Sequence, residues 1–126
     1  MKLNAWPPAL VVYTDNLPEG VGGRANAFVV RLRPEYANDE GMLQHELEHV
    51  KQAYASLLVL HPLAYRFIKA YRFWAEMKAY ERQMQFPRAD GTHMGDYEMS
   101  RCMSQPVYQF NMTVEEILDK VRQLRK

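Results

Sequence analysis

The chain has 126 residues, of which 48% are apolar and 25% charged, and its formal net charge is +1. That is the size of one domain with a real core, over residues 1–126, too short for two comfortable ones and too apolar for disorder. A balance so near neutral supplies no general drive toward nucleic acid or an anionic membrane, so nucleic acid is not expected as a partner even though the terminal "KVRQLRK" is locally basic.

In chain order, "ALVVYTD" (Ala9 to Asp15) follows a diproline and is β-branched and aromatic, which predicts a strand. "NLPEGVGGR" carries one Pro and three Gly and reads as a turn or loop. It is not a phosphate loop, because a strand rather than a helix follows and no Lys-Ser/Thr closes it. In "ANAFVVRLRPEY", Phe28, Val30 and Leu32 alternate with Val29, Arg31 and Arg33, the period of a half-exposed strand ending at Pro34. Two strands across a Gly-rich connection predict a small antiparallel sheet.

The rest reads as helical. "NDEGMLQHELEHVKQAYASLLVL" has Asn38 or Asp39 as N-cap and a core stripe of Leu43, Leu47, Val50 and Tyr54; His61-Pro62 ends it. A second long helix is predicted from about Leu63 to Phe86, free of Gly and Pro and stopped by Pro87. A short helix over "DYEMSRCMS" follows, and then "TVEEILDKVRQLRK", with Thr113 and Glu116 in capping-box spacing.

Cys102 is the only cysteine, which excludes an internal disulfide and a Cys-rich zinc site. "MKLNAWPPALVVY" is a poor secretory signal, and "ASLLVLHPLAY" falls short of the roughly 20 residues that span a bilayer. The expectation is a cytoplasmic protein without a membrane span, with export by an unusual route left open.

The informative stretch is "HELEH". Residues i and i+4 stand one turn apart on one helix face, so His45 and His49 can direct imidazole nitrogens at a single zinc ion. Glu46 lies about 100° around the helix and can take a proton from activated water. With 4 His in the chain, an HExxH match arises by chance roughly once in a hundred such sequences, so the motif needs company. A catalytic zinc wants three protein ligands and one open position, and Glu76, in "FWAEMKAYERQ", is the third. Roughly a dozen residues run from His49 to the His61-Pro62 turn and roughly a dozen return, so an antiparallel hairpin brings Glu76 alongside the histidines. Ala75 and Ala79 allow close approach, and Phe73, Trp74, Met77 and Tyr80 supply bulk. Glu81 reads as a solvated partner of Lys78 or Arg82, and Glu48 as a surface charge.

"HELEH", with "EMKAYE" one hairpin away, resembles the gluzincin pattern of HExxH followed by Glu in a Glu-x-x-Ala context, above all the minimal soluble gluzincins; ImmA-like and SprT-like zincins are similar in spacing. The resemblance covers Ala25 to Phe86. It implies an α+β fold in which a small antiparallel sheet packs on a zincin helical core, with "ANAFVVRLR" the strand that lies antiparallel to an extended peptide substrate. Tyr80 departs from the pattern, which has a small or acidic residue there to hold a ligand histidine. The metzincin continuation is absent.

The implied reaction is peptide-bond hydrolysis on a peptide or protein substrate: Zn2+ acidifies water and polarises the carbonyl, and Glu46 moves the proton to the leaving amine. His93, Tyr97, Tyr108 and Tyr54 are candidates to stabilise the oxyanion, with packing or surface roles as the default for each. His61 reads as a capping residue at a helix end, Met77, Met84, Met99 and Met103 as core filling and Cys102 as inert. Two other readings remain. One is a non-catalytic scaffold or protein-binding module of zincin fold, stabilised by zinc; the other is a metal-free helical domain whose motif is accidental. Oligomeric state and cleavage specificity are not encoded legibly.

Overall fold

The computed structural model describes residues 1–56 and 60–126. Five α-helices and one four-stranded sheet are found among them, an α+β fold as read from the sequence. The strands are β1 (Lys2–Asn4), β2 (Ala9–Tyr13), β3 (Gly23–Asn26) and β4 (Val29–Leu32). The helices are α1 (Glu40–Ala55), α2 (Leu60–Phe67), α3 (Lys69–Met84), α4 (Asp96–Met103) and α5 (Val114–Leu124).

The sheet order is β1-β2-β4-β3, and it corrects the antiparallel expectation in one place. The two strands foreseen in the sequence, β2 and β4, pair in parallel, with Leu10 opposite Val29 and Tyr13 opposite Leu32. The antiparallel pairs are β1 with β2 and β3 with β4. The segment read as one strand from Ala25 to Arg33 is a hairpin: Asn26 pairs with Val29, and Ala27 turns the chain with φ of 53°. Phe28 therefore leaves the core stripe and is 49% exposed at the turn. Once β3 folds back on β4, it takes one flank of β4, and β2 occupies the other.

Helix α1 starts where the sequence says: the Asp39 side chain accepts from the Met42 N–H and caps the first turn. Its core stripe follows from 3.6-residue periodicity, with Leu43, Leu47 and Val50 packed on Ala9, Val11, Val30 and Leu32 of the sheet. Tyr54 does not complete that stripe; its ring is exposed and its hydroxyl donates to the Pro8 carbonyl at 2.7 Å. The predicted continuation of this helix through residues 57–59 lies outside the described residues.

The predicted helix from Leu63 to Phe86 is two helices. Ile68 is extended (φ −114°, ψ 102°) and separates α2 from α3. The Arg72 guanidinium occupies the break, donating to the carbonyls of Tyr65 (3.0 Å) and Arg66 (3.3 Å) at the end of α2 and to that of Tyr108 (2.8 Å). An arginine that satisfies a helix's last carbonyls offsets the hydrogen bonds lost at the break. His61-Pro62, read as a terminator, instead lies in the first turn of α2, where proline's missing N–H is not needed.

The opposite face of α1 packs on α3. Ascending α1 meets descending α3: His45 contacts Gln83, His49 contacts Glu76 and Gln52 contacts the Ala75 carbonyl, which makes the pair antiparallel. Gly41 permits the approach at one end, since a Cβ there would stand 3.1 Å from the Gln83 carbonyl oxygen and 3.3 Å from that of Phe86. The far side of α3 closes a second core, in which Phe73, Met77 and Tyr80 meet Met99, Met103, Phe110, Ile117 and Val121. Met77, Met99 and Met103 fill core space as read, and Met84 packs partly buried against them. Thr113 and Glu116 form the capping box that opens α5. Among the described residues, no helix is long and apolar enough to cross a membrane.

Candidate metal centre

Two successive turns of α1 and the middle of α3 bring four ionisable side chains into one buried space. His45, Glu46 and His49 are 5%, 5% and 7% exposed, and Glu76 is 2% exposed. His45, Glu46 and His49 offer ligand atoms all within 4.8 Å of one another, a group able to hold a metal ion. Glu76 is closer still to the imidazoles: Oε1 stands 3.2 Å from His45 Nε2, and Oε2 stands 3.1 Å from His49 Nε2. The hairpin thus brings together all four residues selected from the sequence.

The other nitrogen of each imidazole is also engaged. Gln52 donates through Nε2 to the Ala75 carbonyl at 3.2 Å, which turns its Oε1 toward His49 Nδ1 at 3.0 Å. A carbonyl oxygen only accepts, so Nδ1 of His49 carries the hydrogen and, in the neutral ring, Nε2 presents a lone pair to Glu76. Gln83 Oε1 lies 3.0 Å from His45 Nδ1 and sets the same tautomer there. Two lone-pair nitrogens therefore face one carboxylate, an arrangement of acceptors against acceptors that burial makes costly. Only a cation between them, a metal ion or a proton, makes it favourable. The orphaned atom is visible: Glu76 Oε1 is buried and has no hydrogen-bond partner among the described residues.

Without a metal the proton takes that place. Burial opposes the charged form of His49, but the Glu76 carboxylate outweighs it, aided by Glu46 and Gln52, and the pKa rises to about 9. Burial likewise acts against the Glu76 anion, and the two histidines overcome it, holding its carboxyl below the ordinary range. Glu46 moves the other way. Burial raises it, with His45 and His49 pulling against that and Glu76 adding to it. A carboxylate so poised can accept a proton and release it again. Glu46 also borders the sheet: a Cβ on Gly23 would lie 3.4 Å from its Cγ, so the edge strand β3 runs past it.

Sequence reading missed three members of the site. Gln52 is three residues beyond His49, and Gln83 is seven beyond Glu76, so helical periodicity carried outward from His49 and Glu76 finds both. Tyr65, on α2, donates its phenol hydrogen to Glu76 Oε2. Its ring meets that of His49 edge-on at 5.9 Å. No spacing rule points to it, because its position depends on the break at Ile68. Tyr80 stands against His45, ring centroids 4.2 Å apart, and its hydroxyl bonds that of Tyr108 at 2.7 Å.

The oxyanion candidates lie elsewhere. His93 is exposed and bonds the Met84 carbonyl, Tyr97 is exposed and Tyr54 is tied to Pro8, while the Tyr108 hydroxyl bonds that of Tyr80, whose ring stands against His45. His61 is not a capping residue; its Nδ1 lies 2.7 Å from the Tyr71 hydroxyl, and burial holds its pKa at about 4. Trp74 does not pack around the carboxylate but is 43% exposed beside Tyr71. Glu81 pairs with Lys78 and Arg125, and Glu48 with Lys51. Burial raises the Cys102 thiol, which keeps it protonated. Comparison with protein-family models, with curated proteins and with solved structures yields no match.

Proposed function

We propose that the chain is a zinc-dependent metallopeptidase of gluzincin type, with His45, His49 and Glu76 as ligands and Glu46 as general base. The observation that carries this reading is the placement of both Glu76 oxygens 3.1–3.2 Å from two Nε2 atoms whose partner nitrogens are held by glutamines. Ligand atoms about 2.0–2.1 Å from a tetrahedral zinc lie about 3.3–3.4 Å apart, close to the spacing of each Glu76 oxygen from the Nε2 it faces. Two imidazoles and a carboxylate are donors that zinc accepts readily. Glu76 is preferred to Glu46 as the third ligand because each of its oxygens faces an Nε2, whereas Glu46 projects from α1 toward β3.

A bound zinc supplies Lewis acidity, acidifying water and polarising the carbonyl to be attacked. The rest is the work of this chain. Glu46 takes the proton of the attacking water and passes it to the leaving amine nitrogen, a transfer that its raised carboxyl pKa favours. Gln52 and Gln83 fix the imidazole tautomers. The edge of β3 beside Glu46 offers unpaired backbone groups to an extended peptide, rather than the whole of "ANAFVVRLR".

The test is Glu46→Gln. The zinc-loaded variant should keep one metal per chain and lose peptide hydrolysis by about 100-fold or more. A variant that cleaves peptides as well as the parent, or a parent that cleaves none of a diverse peptide library, returns the chain to the reading of a zinc-stabilised scaffold.

A further inference from the structure

Helix α2 has no buried residue and yet reaches into the metal centre through one side chain. The Tyr65 hydroxyl donates to Glu76 Oε2, while Glu76 Oε1, equally buried, has no hydrogen-bond partner among the described residues. The two oxygens of one carboxylate are therefore chemically distinct. Both face an imidazole Nε2, Oε1 that of His45 at 3.2 Å and Oε2 that of His49 at 3.1 Å, but only Oε2 also takes the phenol hydrogen.

The phenol is held firmly in that place. Arg72 donates to the Tyr65 carbonyl at 3.0 Å, and its guanidinium lies over the Phe110 ring at 5.5 Å, which ties the end of α2 to the second core. A carboxylate oxygen only accepts, so the hydroxyl acts toward it as a donor. A carboxylate that binds zinc through both oxygens takes two coordination positions, and one held back by a hydrogen bond takes a single position. The difference decides whether a three-ligand site keeps a corner open for substrate.

We infer that Tyr65 is a positioning residue that withholds Glu76 Oε2 from the metal, so that Glu76 binds through Oε1 alone and the fourth position stays free. This inference rests on the metal-site reading above and extends it to a residue outside the HExxH pattern.

The experiment compares the parent chain with Tyr65→Phe, each stripped with a chelator and titrated with Zn2+ against a chromophoric competitor, then loaded with Co2+ for its visible spectrum. Loss of an outer hydrogen bond to a ligand lowers metal affinity by about 10- to 100-fold. The cobalt bands should also weaken as the freed carboxylate becomes bidentate and the ion five-coordinate. Equal affinity and an unchanged spectrum overturn the inference while leaving the metal site intact; a parent that binds neither ion overturns both. X-ray absorption on the zinc-loaded parent keeps the question answerable if the variant does not fold: one carboxylate oxygen at bonding distance is the expected result, and two overturn the inference.

Discussion

The side-chain amide of Gln52 bridges α1 and α3: its Oε1 accepts from Nδ1 of His49 at 3.0 Å, and its Nε2 donates to the carbonyl of Ala75 at 3.2 Å, one residue before Glu76. One buried side chain thus sets the tautomer of His49 on α1 and holds the backbone beside Glu76 on α3. Both its polar groups are used, so neither can be removed without leaving a buried partner unsatisfied.

Replacing Gln52 by Leu keeps the volume and removes both bonds. Metal affinity should fall by about 10- to 100-fold, and the metal-free protein should lose about 1–3 kcal/mol through the orphaned Ala75 carbonyl and His49 nitrogen. Competition titration and urea unfolding in chelator measure the two effects separately. Glutamate at the same position restores the acceptor for Nδ1 but not the donor, and should recover affinity more than stability.

The metal-free protein should lose stability as the pH rises. The folded-state pKa of His49 is raised to about 9 from 6.5, so its contribution is complete below about 6.5 and disappears as the pH passes through about 9. The slope in that window is up to about 1.4 kcal/mol per pH unit. Glu76, whose carboxyl is depressed, acts at the other end, its contribution being lost as the solution becomes acid. Metal removes the alkaline dependence, because an occupied Nε2 carries no proton. Unfolding titrations between pH 6 and 10, with chelator and with saturating zinc, read this directly; metal-free stability that is flat or rising with pH contradicts it.

Gly41→Ala probes the close approach of α1 and α3. Alanine gains up to about 1 kcal/mol of helix propensity. Its Cβ, however, would stand 3.1 Å from one backbone carbonyl oxygen and 3.3 Å from another, atoms that do not move cheaply. Overpacking of this kind costs about 1–3 kcal/mol, so the net change should be a loss of about 1 kcal/mol. Metal affinity should fall with it, because the same contact seats Gln83 against His45.

Local rules carried the sequence far at some elements and not at others. The Asp39 cap, the Leu43/Leu47/Val50 stripe and the Thr113 capping box are each set by residues within a turn of one another, and each is found where the pattern puts it. The meeting of His45, His49 and Glu76 was legible as the antiparallel packing of two amphipathic helices, although the turn foreseen at His61-Pro62 is the start of α2, which lies between α1 and α3. The break at Ile68 was not legible: no Gly or Pro marks it, and the Arg72 guanidinium that stabilises it acts through the tertiary fold. Tyr65 was hidden for the same reason. The parallel pairing of β2 with β4 was missed because the Ala27 turn splits one apparent strand into a hairpin, and alanine carries no turn signature.

The central claim is that the buried imidazoles and Glu76 are a metal site, and the most direct measurement is anomalous diffraction at the zinc edge from crystals of the zinc-loaded chain. One strong peak within about 2.1 Å of His45 Nε2, His49 Nε2 and a Glu76 oxygen is the result predicted. A chain that takes up no stoichiometric zinc, with the imidazoles closed directly on Glu76, would contradict it.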